Sequence, residues 1–246
     1  MIDVILLPDM LPQESLSGSQ AVVLDVLRAS STIVTALAHG AREVRLFNDI
    51  NQAAAAKPAA PAPALLAGER HCVKIPGFDL GNSPAEYVTH AIGNATILLT
   101  TTNGVRAAYA TRAAGQVFIG SLLNASATAH ALLEHLDAAH TLLVCAGTDG
   151  RVACEDVIGA GAILWHLLQQ TYRADLPFTD TAWLAYHAFG AVRQRLSAAL
   201  RLGIGGIQLI EAGFEDDIDL CAALDTHKAV VELRENPLRA VRVESK

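Results

Sequence analysis

The sequence predicts an α/β protein, with helices layered on both faces of a largely parallel or mixed central sheet in an α/β/α sandwich. Two observations predict it. Short aliphatic runs at 21–24, 95–99, 116–119 and 141–144 each give way to a turn rich in Thr, Ser, Gly, Asn or Asp and then to an Ala-rich helical pattern. Strands that alternate with helices in this way build a sheet covered on both sides. Apolar residues make up 52% of the 246 positions and aromatics only 5%, so aliphatics and Ala must pack a sizeable core. No second core with its own linker is evident, and residues 1–246 are expected to form one domain.

Taken in order, residues 2–7 read as a first strand, stopped by Pro8, and a polar loop over 12–20 leads to the stretch QAVVLDVLRASSTIVTALAHG. There a β-branched strand, 21–24, runs into Asp25, a turn and a helix over 30–38 that closes on Gly40 as its C-cap. Residues 43–47 suggest another strand. The segment 51–64 is almost all Ala and Pro, and it reads as a variable surface connection whose Ala-rich half has helical character until Pro58, Pro61 and Pro63 stop it. A brief strand over 65–68 leads straight to Glu69 and Arg70. The loop KIPGFDLGNSPAEY, 74–87, is turn-rich yet carries Ile75, Phe78 and Leu80, so it should fold back onto the body. After the last strand–turn–helix unit, longer helices are expected over 156–171 and 180–201, the second separated from its successor by Gly205 and Gly206. An acidic amphipathic segment spans 211–225, and closing strands are expected at 230–233 and 240–243.

Composition removes several functions. The formal charge is −7 with no basic run, which argues against nucleic acid or an anionic membrane as a partner, and an anionic small molecule would need a local positive site. Cys72, Cys145, Cys154 and Cys221 lack metal-site or redox-motif spacing, no secretory leader pattern opens the chain, and no apolar run reaches the ~18 residues of a membrane span. A cytoplasmic protein is expected, and a homo-oligomer remains compatible with this composition.

Ligands of such sheets bind beyond the carboxyl ends of the strands, where four polar turns could converge on one crevice. A helix N-terminus receives anions and a strand-end carboxylate can hold a cation, so Asp25, Arg28 and Ser30 look built for a phosphate and a metal together. Asp25, Glu69, Asp149, Glu155 and Asp156 all stand at strand ends or helix starts, and Mg²⁺ binds through one or two carboxylates, waters and substrate phosphate. The plainer alternatives are a turn role for Asp149 and favourable first-turn placement for Glu155 and Asp156. Arg28, Lys74, Arg106 and Arg151 are the cations available to grip acidic groups, while Asn103, Ser121 and Asn124 could orient substrate oxygens. Dinucleotide, P-loop and nucleophile-elbow motifs are absent.

The blocks VVLDVLRASSTIVTALAHGA, LLAGER, KIPGFDLGNSPAEY, ILLTTTNGVRA, IGSLLNASA and LLVCAGTDGRVACEDVIGAGAI resemble those of the 2-phosphosulfolactate phosphatase (ComB) family. The likeness is close to about residue 164 and then thins to fragments such as GFEDDIDLCAALD; the Ala/Pro stretch has no counterpart. This resemblance implies a ComB-like α/β/α fold and a Mg²⁺-dependent acid phosphatase acting on 2-phospho-3-sulfolactate or related 2-hydroxy-acid phosphates, a step towards coenzyme M. Asp25, Arg28, Glu69, Asn103, Arg106, Ser121, Asn124, Asp149, Glu155 and Asp156 match the family's polar motif positions. On this reading Asp25, Arg28 and Glu155 are catalytic, and some of Asp25, Glu69, Asp149, Glu155 and Asp156 hold Mg²⁺. Ser30, Lys74, Asn103, Arg106, Ser121, Asn124 and Arg151 bind substrate. Water is expected to attack phosphorus rather than Asp25, because the aspartyl-phosphate enzymes place a second Asp two residues on, where this chain has Leu27. Two rivals share the crevice: a non-catalytic binder of phosphorylated or sulfonated metabolites, and a phosphosugar isomerase.

Overall fold

The computed structural model describes residues 1–12, 14, 16–134, 140–171 and 176–243, so positions 13 and 15 of the expected polar loop lie outside the described residues. Its strands in chain order are β1 (Ile2–Ile5), β2 (Gln20–Leu24), β3 (Glu43–Leu46), β4 (Ala64–Arg70), β5 (Val73–Lys74), β6 (Thr96–Thr100), β7 (Gln116–Gly120), β8 (Thr141–Cys145), β9 (Val230–Arg234) and β10 (Arg239–Val243). The helices are α1 (Ala29–Ala38), α2 (Ile50–Ala56), α3 (Pro84–Thr89), α4 (Gly104–Thr111), α5 (Ala125–Leu133), α6 (Cys154–Thr171), α7 (Asp180–Val192), α8 (Leu196–Leu200), α9 (Ile204–Glu211) and α10 (Glu215–Cys221).

The strands form one sheet in the order β1-β8-β2-β7-β9-β10-β3-β6-β4-β5. β1, β8, β2 and β7 are parallel to one another, as are β3, β6 and β4. Between these blocks the hairpin β9–β10 pairs antiparallel with β7 on one side and β3 on the other. Three antiparallel steps reverse direction, so the two parallel blocks run in opposite senses. Neighbouring strands rotate by roughly 20–25° each, so over the five steps from β2 to β6 the twist accumulates to about 100–125°.

Side-chain alternation divides the core. On β2, Ala21 and Val23 join a cluster with Ile33, Val34 and Leu37 of α1 and Val105 of α4. Val22 and Leu24 face the other way, to Ala129 of α5, Ile158 and Ile163 of α6 and Phe189 of α7. A strand buried on both faces needs no polar alternation, which is why the apolar run was readable. These two clusters are the outer interfaces of the α/β/α sandwich. Residues 29–37 of α1 are buried throughout, and the helix keeps its hydroxyls satisfied by Ser31 donating to the Val26 carbonyl (2.8 Å) and Thr35 to that of Ser31 (2.8 Å). Gly40, at φ +91, follows it in the left-handed conformation expected of a C-cap glycine.

Several boundaries differ from expectation. Residues 51–64 are less detached than their composition suggests: Asp49 caps α2 by accepting from the Gln52 amide (2.9 Å), and Ala53 is fully buried. The helix expected over 180–201 is split into α7 and α8. Gly205 and Gly206 do not break a helix but open α9, where a Cβ on Gly206 would lie 2.1 Å from the Leu200 carbonyl oxygen and one on Gly205 would lie 2.0 Å from Glu155 Oε1. They are glycines of close approach. Among the described residues, no helix is long and apolar enough to cross a membrane.

Candidate active site

A crevice of about 440 Å³ is lined from the carboxyl ends of strands of both blocks. Asp25, Leu27 and Arg28 reach it from the end of β2, Glu69, His71, Cys72 and Val73 from the β4–β5 hairpin, and Thr102 and Asn103 from the turn after β6. Thr148 and Asp149 enter from the turn after β8, Asn82 from the loop before α3, and Gln208, Leu209 and Glu211 from α9. Three of the four polar turns expected to converge do so, and the end of β4 supplies the fourth wall.

Asp25 sits at the starts of two helices. Its Oδ1 accepts the Ala29 amide (3.3 Å), and its own amide donates to Ser30 Oγ (2.8 Å). A Cβ at Gly104 would lie 2.6 Å from Asp25 Oδ2, so only glycine lets α4 begin this close to the carboxylate. Burial pushes the Asp25 carboxyl up to about 7, with Glu69 and Glu155 adding in the same direction, against the downward pull of the Ala29 and Gly104 amides. The carboxyl is therefore under-compensated. Because Asp25 itself caps α1, the first amides of that helix are not free for a phosphate, and Ser30 serves the Asp25 backbone rather than a ligand.

Glu69 is fixed from both sides. Its Oε1 accepts from the amide and hydroxyl of Thr102 (3.0 Å each), and its Oε2 from the Cys72 amide (3.0 Å). Cys72 and His71 form the β4–β5 turn with φ +67 and +52, a left-handed pair normally given to Asn and Gly. Arg28 is also held firmly: Nη1 donates to Asp217 Oδ2 (2.6 Å), Nη2 to the Cys72 carbonyl (2.7 Å), and its guanidinium lies 4.5 Å from the Phe214 ring centre. Ser83 Oγ donates to the other Asp217 oxygen (2.6 Å), joining β2, α10 and the loop before α3 in one buried network. Asp149, at φ +51, accepts from Gln208 Nε2 (3.0 Å) and so ties its turn to α9.

Other expected site residues lie elsewhere. Ser121 and Asn124 are fully buried and bond within their own turn and to the sheet: Asn124 Oδ1 accepts the Ser121 amide (2.9 Å), and Nδ2 donates to the carbonyls of Ala229 (3.0 Å) and Ile119 (3.3 Å). The expectation that they bind substrate is corrected: they close the turn after β7 onto β9. Arg106 is exposed and paired with Asp9 (2.5 Å). Lys74 and Arg151 are exposed and do not line the crevice, being placed on β5 and in the Thr148–Arg151 bridge. Asp156 does not line the crevice; its two oxygens accept the Val26 (2.8 Å) and Gly147 (3.0 Å) amides and pin the turns after β2 and β8 together. Burial raises the Asp156 carboxyl well above its ordinary range despite those amides, with Asp25 and Glu155 acting in the same direction. Glu155 is buried beneath the glycines of α9 with Oε2 unpartnered, its carboxyl also raised by burial, and it does not line the crevice.

The lining holds four carboxylates, Asp25, Glu69, Asp149 and Glu211, against one guanidinium whose charge Asp217 already balances. Among the described residues, no group of three or more His, Cys, Asp or Glu side chains is gathered to hold a metal. Mg²⁺ asks for less, since one or two carboxylates suffice when waters and a substrate phosphate complete the shell. Asp25 and Glu69 fit that requirement: both line the crevice, and burial together with the Glu69 charge holds the Asp25 carboxyl up, which a cation would relieve.

A family model described as 2-phosphosulpholactate phosphatase matches residues 5–236. The chain is 37% identical over 225 residues, 91% of each chain, to a protein of Caldanaerobacter subterraneus subsp. tengcongensis named probable 2-phosphosulfolactate phosphatase. Proteins of the same name from Thermotoga maritima and Deinococcus radiodurans are each 40% identical, over 233 residues (95% of each chain) and 227 residues (92% of this chain, 91% of the relative).

Proposed function

The chain belongs to the 2-phosphosulfolactate phosphatase family of phosphoric monoester hydrolases, and from that premise we propose that its crevice hydrolyses 2-phospho-3-sulfolactate or a related 2-hydroxy-acid phosphate with Mg²⁺ bound. The observation that carries this reading is the charge of the lining. A phosphate ester is doubly anionic, and a wall of four carboxylates with one already-paired arginine repels it unless a divalent cation enters too.

Asp25 and Glu69 would hold the ion, which supplies charge neutralisation and orientation of the phosphoryl oxygens. Phosphate monoesters are among the most inert esters, with enzymatic accelerations of up to ~10²¹-fold, so stabilisation of phosphoryl charge is the main demand on the site. Arg28 meets it with the N–H donors left over after Asp217 and Cys72, fixed in advance so that little reorganisation accompanies reaction. Asn103, at the start of α4, and Thr102 border the same space and can orient the substrate's oxygens. Cation binding needs Asp25 ionised, so Mg²⁺ affinity should weaken as pH falls below about 7. The finer assignment, a step of the coenzyme M type, rests on the family resemblance, and the cytoplasmic setting on the cysteine pattern of the sequence.

Purified protein should release inorganic phosphate from 2-phospholactate with Mg²⁺, lose this on EDTA treatment and regain it on Mg²⁺ addition. Binding without release in the presence of metal would favour a metabolite binder, and rearrangement without free phosphate an isomerase. Either result overturns the proposal.

A further inference from the structure

The loop before α3 is pinned on both sides of one residue. The Gly81 amide donates to Glu86 Oε2 (3.0 Å), Tyr87 Oη donates to the Gly81 carbonyl (2.9 Å), and Thr32 Oγ1 donates to the Asn82 carbonyl (2.8 Å). Ser83 Oγ holds Asp217, the partner of Arg28. All of this fixes the backbone of Asn82, which is 5% exposed and lines the crevice. Yet the Asn82 side chain makes no hydrogen bond to any described residue, and its Oδ1 is buried without a partner. Leaving a buried carboxamide unpaired is costly, and such a group in the wall of a crevice calls for a reason.

We propose that Asn82 is a substrate-contact residue whose carboxamide is completed by the ligand of the crevice, an inference that rests on the phosphatase reading above. The chemistry suits the substrate: an anionic ester brings only acceptors, which Nδ2 serves. A neutral amide also adds no further negative charge to a wall that already holds four carboxylates.

A contact made possible by leaving a group unpaired in the free protein has a signature that a structural asparagine lacks. Asn82→Leu, with the same branched shape and no polar atoms, should leave the ligand-free thermal midpoint unchanged or raised, while 2-phospholactate binding measured by calorimetry with Mg²⁺ weakens about tenfold and kcat/KM falls in parallel. Asn82→Ala, which cannot clash, should weaken binding by a similar factor with unfolding still cooperative. A midpoint several degrees lower in both variants would make Asn82 structural, and binding within twofold of wild type in both would remove it from the site; each overturns the inference. Wild type that binds 2-phospholactate without releasing phosphate would defeat the phosphatase reading, while Asn82 would still be judged on the isotherms. Wild type that neither binds nor releases would defeat both.

Discussion

The turns after β2 and β7 are near-twins in composition and opposite in fate. Both follow a strand of the same parallel block that is apolar after its opening Gln, and both offer hydroxyl and amide groups or charge at the head of a helix. In the turn after β7 every polar group of Ser121 and Asn124 finds a protein partner, Asn124 Nδ2 reaching across to the Ala229 carbonyl of the chain entering β9. In the turn after β2, Asp25 is held beside two helix starts and remains under-compensated. A strand-end turn thus becomes a site through the bonding capacity it leaves unused, and residue type alone does not reveal that.

The largest expected effect that would break this contrast is on catalysis. Asp25→Asn should lower phosphate release by about 10³-fold or more, on the scale of losing a charge-organising group. Initial rates within tenfold of wild type would put the two turns in one category. Next, Asn124→Ala should cost about 2–4 kcal/mol in denaturant unfolding, because several buried groups lose partners, with KM unchanged while the protein is folded.

A third test separates the turns by pH. The folded-state pKa of Asp25, about 7, lies above its ordinary value of 3.8, so its contribution to the stability of metal-free protein is full below about pH 4 and lost as pH rises through 7. Asp25→Asn should accordingly gain stability over wild type as pH passes from 5.5 to 8, read as a widening difference in thermal midpoint without metal. Ser121→Ala should cost about 1 kcal/mol, the usual loss of a capping side chain, with activity retained. The smallest effect belongs to Arg106→Ala. Its exposed pair with Asp9 should contribute less than about 0.5 kcal/mol, and a large rise in KM would return Arg106 to the site.

Strand-end acids were legible because an ionisable group directly after a buried strand is costly without a purpose; Asp25, Glu69 and Asp149 all reach the crevice, as do Arg28 and Asn103. Ser121 and Asn124 misled because a self-satisfied turn and a ligand-binding one use the same residues, although their i, i+3 spacing carries a capping pattern. Glu155 and Asp156 are neighbours in sequence, but successive helical side chains diverge by about 100°, and each serves a different wall. Asp217 stands beside exposed acids in an acidic segment, with nothing local to single it out as the partner of Arg28. The loop at 74–87 was signalled by Ile75, Phe78 and Leu80, all buried, yet its functional position at Asn82 required the crevice to be seen. In the fold, strand–turn–helix units were readable from local pattern. The opposed sense of the two parallel blocks was not, because it depends on pairing between β7, β9, β10 and β3, far apart in the chain.

The hairpin at the middle of the sheet has a consequence for how the protein comes into being. β9 and β10 leave the ribosome after every other strand, yet they are the seam between β7 and β3. Until they arrive, a nascent chain can hold two half-sheets with bare edges where the seam belongs, and Asp25 and Glu69 belong to different halves. Fragments that stop short of β10 should therefore expose the unpaired edges of β7 and β3, a hazard that ends only when the seam is filled.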